Sequence, residues 1–493
     1  MKNLAFDNKK YLEIQRKAIL KRIKSFGDKL YLEFGGKLFD DYHASRVLPG
    51  FEPDAKLKML LGLKEQVEIV IVVNSFDIIS NKARADIGIS YQDEVKRLID
   101  AFKDCKLLVS SVVFSFYTDN TNVKQFIHFL TSKGINVYKH YQIEGYPNNV
   151  DLVASDDGFG KNEYVKTTKP LVVVTAPGPG SGKMATCLSQ LYHDNKNGIR
   201  AGYAKYETFP VWNLPLKHPV NLAYEAATID LNDVNLIDSY HLEAYKKMAT
   251  SYNRDVASFP LLQAIFNKIF GSSPYKSPTD MGVNMVGFAI KDKKAAEKAS
   301  NAEIIRRYYQ TLKLNFLGRL PDETVEKAKL LMSEARLTTD DRPCVKACLK
   351  RAEETGVPCM AIEKGNKIIT SKRSQLLGAP AALLLNTLKS FAKLNDDLLI
   401  LSRKVIEPIN ELKVNTLRNH NPRIHAEEVL IALAIQADSN PLASMVLKQI
   451  PKLRGLQAHS SVLLPVVDVK TFNKLGINVT EEPKSYAGKI FTK

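Results

Sequence analysis

A glycine-rich turn followed by a lysine is the segment of this sequence best suited to bind a charged ligand. Residues 171–191 read LVVVTAPGPGSGKMATCLSQL. The apolar run at 171–174 predicts a buried strand of a parallel sheet, and Met184, Leu188 and Leu191 recur at helical spacing. The sequence therefore predicts a strand, a glycine loop and a helix in succession, the arrangement that binds polyphosphate.

The predicted ligand-binding residues come from this loop and from the first turn of the helix. Glycines let backbone N–H groups turn inward, the helix N-terminus adds partial positive charge, and a lysine adds a full charge. Lys183 would contact β- and γ-phosphates while N–H groups of residues 178–182 surround them. The residues expected to bind a nucleotide are Gly178, Gly180, Ser181, Gly182, Lys183 and Thr186.

Two positions depart from the usual P-loop pattern. Pro177 stands where the pattern has its first glycine, and Met184 stands where a Ser or Thr would ligate magnesium. Thr186 is the nearest hydroxyl along the helix, but it lies three residues beyond Lys183 and would face elsewhere unless the loop is distorted. The alternative is a structural strand-to-helix turn with an incidental lysine. Phosphate binding is favoured because three glycines and a lysine stand in the required context.

Two acidic residues follow apolar runs that predict strands. Asp77 lies just past the run at 69–73, and Asp230 ends a second predicted strand at 226–230. In P-loop proteins a residue of this kind holds magnesium. The predicted cofactor is therefore ATP or another nucleotide with Mg²⁺, and Asp77 and Asp230 are rival candidates for the metal.

Strands and helices alternate in the N-terminal half of the chain. Predicted strands at 69–73, 107–116 and 135–138 alternate with predicted helices at 91–102 and 123–130. This alternation predicts an α/β fold with a mostly parallel, doubly wound, P-loop-like sheet. Ligands of such sheets bind outside the carboxyl ends of the strands. Asp77 and the glycine loop both follow predicted strands, so we expect them to lie along the same edge of the sheet.

At 493 residues the chain is longer than a single hydrophobic core usually supports. We predict a P-loop-like α/β domain at 1–290, a helical connector at 291–340 and an α+β C-terminal domain at 341–493. We also predict a helix at 241–251 and a strand at 462–467. Further on, residues 360–370 predict a hairpin, and residues 379–391 predict an apolar helix.

Two loops contain further polar residues. One contains Asp40, Asp41, His43, Ser45 and Arg46, and it is either a ligand-binding loop or a well-satisfied structural one. The other, at 271–282, is rich in turn residues, and it is either a lid over the site or a connector.

Other candidate chemistry is weaker. Cys344 and Cys348 stand four apart on a predicted helix, which favours buried free cysteines over a zinc site. His425 and Glu427 form the H-x-E of zinc deaminases, but no P-C-x-x-C follows, so deamination is excluded.

Composition restricts the class of protein. The chain carries 70 basic and 53 acidic residues, a net charge of +17, which favours anionic partners such as a nucleotide or a phosphorylated small molecule. A nucleic-acid partner is not expected, because no basic stripe is interleaved with aromatic residues. No apolar run reaches the ~18 residues of a membrane helix, and the N-terminus lacks a signal-peptide pattern. With five cysteines, we expect a reduced, cytoplasmic protein.

Several stretches together resemble one bacterial family, the domain of unknown function numbered eighteen-forty-six, an uncharacterised protein family. The stretches are LEFGGKLFD at 32–40, ASRVLPGF at 44–51, TAPGPGSGKMATCLSQ at 175–190, VNLID at 234–238, LIAL at 430–433 and His459-Ser460. The resemblance implies a P-loop-like N-terminal region, a helical middle and an α+β C-terminal domain, with no established activity. It also implies that Pro177 and Met184 belong to the family's own version of the loop.

Two classes of function follow from these residues. The leading prediction is a nucleotide- or phosphate-binding protein, extended to a phosphotransferase or ATPase that acts on a small molecule. The alternative is a non-enzymatic assembly or regulatory protein that binds a phosphorylated metabolite, with the C-terminal domain forming the interface of a homo-oligomer.

Overall fold

The computed structural model describes residues 4–36, 38–39, 41–83 and 89–486. The chain divides into two units, the first formed by Met1–Glu225 with Asp233–Ala299 and the second by Ala226–Asn232 with Ser300–Lys493. Within the described ranges, none of the helices is both long and apolar enough to cross a membrane.

The first unit is built on a parallel sheet, which has six strands among the described residues. They are β1 (Leu30–Phe34), β2 (Val67–Asn74), β3 (Leu108–Ser115), β4 (Asn136–Lys139), β5 (Leu171–Thr175) and β6 (Gly202–Tyr206). Their order across the sheet is β4-β3-β2-β5-β1-β6, and every pairing is parallel. Leu171 of β5 pairs with Leu30 on one side and Val67 on the other, so the strand that precedes the glycine loop lies inside the sheet.

Thirteen α-helices precede residue 317 in the described part of the chain, and the last of them spans the end of the first unit at Ala299. They are α1 (Asn8–Ser25), α2 (Tyr42–Val47), α3 (Ala55–Leu61), α4 (Ser75–Ile79), α5 (Tyr91–Asp104), α6 (Thr121–Ser132), α7 (Val150–Val153), α8 (Lys183–Lys196), α9 (Pro219–Ala227), α10 (Ser239–Tyr245), α11 (Asn253–Phe270), α12 (Pro278–Met281) and α13 (Lys293–Phe316). Two further strands, β7 (Asn235–Ile237) and β8 (Thr250–Tyr252), pair antiparallel.

Helices pack on both faces of the parallel sheet. Leu30 and Leu32 of β1 belong to an apolar cluster with α1, α3, α5 and α6, whereas Tyr31 belongs to a cluster with α8 and α11. Successive side chains of a strand point to opposite faces, so a strand buried on both faces is mostly apolar along its length. The predicted α/β fold with a parallel sheet is confirmed, while its P-loop-like character stays a prediction.

The second unit has a mixed sheet of its own. Its strands are β9 (Cys359–Lys364), β10 (Lys367–Lys372), β11 (Gln457–Ser460) and β12 (Asn478–Glu481), in the order β10-β9-β11-β12. Only the β11–β12 pairing is parallel. Its helices are α14 (Asp322–Glu334), α15 (Pro343–Thr355), α16 (Ala379–Phe391), α17 (Arg403–Glu411), α18 (Ala426–Gln436), α19 (Pro441–Leu447) and α20 (Val466–Lys474). Several sequence predictions for this unit are confirmed. The predicted hairpin is β9–β10, and the predicted apolar helix is α16. Cys344 and Cys348 are buried free cysteines, as predicted.

Three predicted elements were wrong. Residues 226–230 are the end of α9 and a 3₁₀ turn, since alanine favours helix and a short apolar run does not distinguish strand from helix. The predicted helix at 241–251 ends at Tyr245, where Lys246 adopts a left-handed conformation, and β8 follows. The predicted strand at 462–467 comes after β11, and α20 begins at Val466.

A buried carboxylate attaches α8 to the sheet. Asp194, which is 0% exposed, accepts hydrogen bonds from the Lys29 ammonium at 2.9 Å, the Tyr31 hydroxyl at 2.7 Å and the Tyr164 hydroxyl at 2.5 Å. These donors lie before β1, in β1 and before β5, so one side chain joins the helix to three places in the chain. Burial and the Asp194 charge together raise the pKa of the Tyr31 hydroxyl, which stays a donor.

We expect Asp194→Asn to lower the free energy of unfolding of the first unit by about 3–5 kcal/mol, because it leaves the Lys29 ammonium without its counter-charge. Trp212 is the single tryptophan of the chain, so its fluorescence during urea titration reports this unit. Asp151→Asn, at an exposed pair with Lys268, is the control and should cost less than about 1 kcal/mol. Equal losses of unfolding free energy in Asp194→Asn and Asp151→Asn would show that Asp194 does not hold α8 to the sheet.

Candidate functional site

The glycine segment joins β5 to α8, as predicted. β5 ends at Thr175 and α8 begins at Lys183. Gly180 and Gly182 have φ angles of 72° and 88°, the left-handed region that side chains disfavour. Gly182 is the N-cap of α8 and supplies no side-chain cap. The turn thus requires glycine at these two positions, and the first turn of α8 is left open.

Neighbouring strands hold the loop in place. The Ser115 hydroxyl at the end of β3 donates to the Ser181 carbonyl at 2.8 Å, and the Asn74 amide at the end of β2 lies 3.5 Å from the Gly180 carbonyl. The Ser181 hydroxyl donates to the Gly178 carbonyl at 2.8 Å. These bonds use carbonyl oxygens of the loop and none of its N–H groups.

The backbone N–H groups of the loop remain available. Between Gly178 and Ala185, none of them donates to another residue within the described part of the chain. The half-buried Lys183 amine likewise makes no hydrogen bond or ion pair with any residue that the structure describes. Free N–H groups at a helix N-terminus and an adjacent ammonium are the features that bind an anion.

Of the two predicted metal ligands, Asp77 lies close to the loop. Its Oδ1 accepts from the Lys82 ammonium at 3.1 Å, and that ammonium lies 5.0 Å from the centre of the Tyr91 ring. The Tyr91 hydroxyl in turn touches the backbone of Gly178, where an added Cβ would lie only 2.0 Å away. Two side chains thus connect Asp77 to the glycine loop, and its Oδ2 is buried without a partner among the described residues.

Asp230 is not part of the first unit. It is exposed on the 3₁₀ turn Ile229–Leu231, which belongs to the second unit. Asp230 therefore does not end a strand of the sheet, contrary to the sequence prediction. Across the described residues, no group of three or more His, Cys, Asp or Glu side chains is arranged to hold a metal ion.

The first turn of α8 has a buried side. Thr186 is 1% exposed, and its hydroxyl has no hydrogen-bond partner among the residues described. Cys187 follows it in the core, where burial and then the Glu33 charge raise the pKa of its thiol while Lys183 opposes the increase. These shifts place Lys183 and Glu33 within electrostatic reach of the same buried atom.

A cluster of half-buried charges beside this helix was missed by sequence reasoning. The Lys205 ammonium on β6 lies 2.8 and 2.9 Å from the two oxygens of Asp255 on α11 and 3.0 Å from Glu207. Glu33 on β1 accepts from the Tyr203 hydroxyl at 2.6 Å, and its charge acts on Lys205 and Glu207. The sequence did contain one indication of this cluster. Lys205 and Glu207 stand two residues apart at the end of an apolar strand, so their side chains point to the same face of the sheet.

Burial changes the protonation of this cluster. Loss of hydration raises the pKa of Glu207 from 4.5 to about 7, the Lys205 ammonium opposes this, and the Asp255 and Glu33 charges add to it. Burial alone would lower the pKa of Lys205, but Glu207 and Asp255 raise it overall, so it stays charged. Glu207 is therefore the group that exchanges a proton near neutral pH, as acid–base residues do.

The cluster forms one side of a small cavity of about 50 Å³. Phe209 and Trp212 supply aromatic walls, and Ser251 supplies a hydroxyl. Pro278, Thr279 and Gly282 close another side, so the turn-rich segment 271–282 covers the cavity. The polar segment after β1 is not the predicted loop: Asp41 is the N-cap of α2, and His43, Ser45 and Arg46 lie on this helix. The Asp41 carboxylate pairs with the buried Lys56 ammonium at 3.0 Å, a satisfied structural contact. Asp40 lies outside the described residues.

Gly178→Ala should reduce stability by about 1–3 kcal/mol, because its methyl group overlaps the Tyr91 hydroxyl. Tyr91→Phe should restore part of that loss in a double-mutant cycle. No atom lies within 4 Å of a Cβ built on Gly180, so Gly180→Ala should show no coupling to Tyr91→Phe. Equal coupling of both glycines to Tyr91 would show that the contact does not constrain the loop.

Glu207 should give stability a characteristic pH dependence. Its pKa is raised in the folded state, so its contribution is fully present below about pH 4.5 and is lost as the pH rises through about 7. Glu207→Gln keeps a neutral side chain, so the stability of this variant relative to wild type should increase from pH 5 to pH 8. Urea titrations at each pH measure the difference. Glu243→Gln, at an exposed position on α10, is the control, and parallel curves for Glu207→Gln and wild type would rule out the raised pKa.

Comparison with known proteins identifies the family. The N-terminal profile of the domain of unknown function DUF1846 matches residues 4–336, and its C-terminal profile matches residues 340–491. A UPF0371 protein of Streptococcus pyogenes serotype M5 is 52% identical over 494 residues, which covers the full length of both chains. A UPF0371 protein of Streptococcus thermophilus is 52% identical over 495 residues, again over both full lengths. The resemblance drawn from the sequence is confirmed, and the chain belongs to the bacterial DUF1846 family.

Proposed function

We propose that the glycine loop binds the phosphoryl group of a nucleotide or of another phosphorylated small molecule. The observation that carries this proposal is the row of backbone N–H groups between Gly178 and Ala185, none of which donates to another residue in the described ranges. α8 has 14 residues and no side-chain cap, so its dipole is available to an anion. Lys183 adds an ammonium at the same point.

Asp77 is the acidic residue best placed to assist a nucleotide with Mg²⁺. Because Met184 supplies no hydroxyl, Asp77 would act on the metal through water, and the Lys82 ammonium would have to leave its Oδ1. Transfer of the phosphoryl group to water or to a small acceptor is the further step of this proposal. It would take place outside the carboxyl ends of β2 and β5, where open α/β sheets bind their ligands.

The test is calorimetric titration with ATP, with and without Mg²⁺, and with inorganic phosphate. Lys183→Ala should weaken binding about tenfold to a hundredfold, the effect of losing one hydrogen bond to a charged group. Lys196→Ala, at the exposed end of the same helix, should bind as wild type does. If Lys183→Ala binds each ligand as tightly as wild type, or if wild type binds none of them, the loop is structural.

A second candidate function is assembly through the C-terminal unit. Leu399 is 84% exposed, Ile435 is 71% exposed and Leu417 is 66% exposed. An interface between copies of the chain would remove these apolar side chains from water. Sedimentation that shows a monomer at every concentration, for wild type and for Ile435→Lys alike, would remove this candidate.

A further inference from the structure

The cavity beside Glu207 has an excess of negative charge. Three carboxyl groups, those of Glu33, Glu207 and Asp255, act on a single ammonium, that of Lys205. Lys205 lies within 3.0 Å of Glu207 and closer still to Asp255, so it occupies the position between carboxylates that a metal ion would take. Charge of this sign repels phosphate and carboxylate groups and attracts a further cation.

The cavity wall has a free acceptor. Ser251 lines the cavity and is 7% exposed, and its hydroxyl makes no hydrogen bond to any residue in the described part of the chain. A hydroxyl that lines a cavity and has no protein partner is open to accept a hydrogen bond from a ligand. This observation is independent of the charge cluster.

The remaining walls suit a small cation. Trp212 and Phe209 line the cavity, and aromatic faces attract ammonium groups. A volume of about 50 Å³ holds about three or four waters. It is therefore large enough for an ammonium group with one or two carbons, and too small for a ring.

We propose that this cavity binds the primary ammonium group of a small ligand, with Glu207 as its carboxylate partner and Ser251 as a second acceptor. When Glu207 is protonated, its O–H bond breaks as the ligand enters and the proton passes to solvent. The ligand keeps its three N–H bonds. The proposal stands apart from phosphate binding, because none of these residues belongs to the glycine loop.

Methylammonium chloride is the probe, titrated against the full chain at pH 6 and pH 8. Trp212 fluorescence reports the cavity directly because the chain has a single tryptophan, and calorimetry detects binding that leaves fluorescence unchanged. Binding should be about tenfold tighter at pH 8, since about nine-tenths of a group with a pKa of about 7 is protonated at pH 6. Tetramethylammonium, which has no N–H to donate, should not bind.

Other titrating groups must be separated from Glu207. The charged and titratable groups that act on it or respond to it are Lys205, Asp255, Glu33, Tyr224 and Tyr252. His241 lies 6.2 Å from Trp212, ring to ring, close enough to affect the fluorescence of that indole. His241→Gln should therefore keep the tenfold difference in methylammonium affinity, whatever happens to the fluorescence without ligand.

Substitutions of Glu207 and Ser251 test whether these two residues bind methylammonium. Glu207→Gln should abolish the pH dependence and weaken methylammonium binding at pH 8 by at least about tenfold. Ser251→Ala should weaken binding at both pH values by a similar factor, whereas Glu243→Gln should bind as wild type does. Equal affinity of Glu207→Gln and wild type at pH 8, or absence of binding heat in wild type, overturns the proposal.

Discussion

The ion pair between Asp194 and Lys29 sets the position of the helix that carries the glycine loop. Asp194 is fully buried near the C-terminal end of α8, and Lys183 begins the same helix. A rigid helix passes a constraint at one end to the other, so the hydrogen bonds from Lys29, Tyr31 and Tyr164 also locate the N–H groups of the first turn. A buried charge that loses its partner is strongly destabilising, so alternative positions of α8 are disfavoured.

The carboxyl edge of the sheet separates charges of opposite sign. Lys183 and the open end of α8 lie after the inner strand β5, whereas Glu207 and Asp255 lie beside the edge strand β6. Glu33 on β1 acts on both regions, since its charge affects Cys187 in α8 and Lys205 in β6. The proposed anion site and the proposed cation site therefore lie at the same edge of the sheet, after different strands.

Local sequence was enough to predict some of the elements. The run at 171–174 is apolar, uninterrupted and β-branched after Leu171, so it indicated β5, and the spacing after Lys183 indicated α8. The short alanine-rich run before Asp230 was wrongly predicted as a strand, because a few apolar residues fit either period and the flanking contacts decide between them. Asp77 pairs with Lys82, which is close to it in sequence. The contact from Lys82 through Tyr91 to the backbone of Gly178 joins residues far apart in the chain, so only the folded structure shows it.

By itself the sequence determined the α/β class, the strand–loop–helix unit and the family, because these depend on residue types at short spacing. Only the tertiary structure decided the rest. Glu33, Glu207 and Asp255 come together because β1 pairs with β6 and α11 packs on the same face. The raised pKa of Glu207 follows from burial beside groups that are distant along the chain, and no local pattern encodes that distance or the loss of hydration.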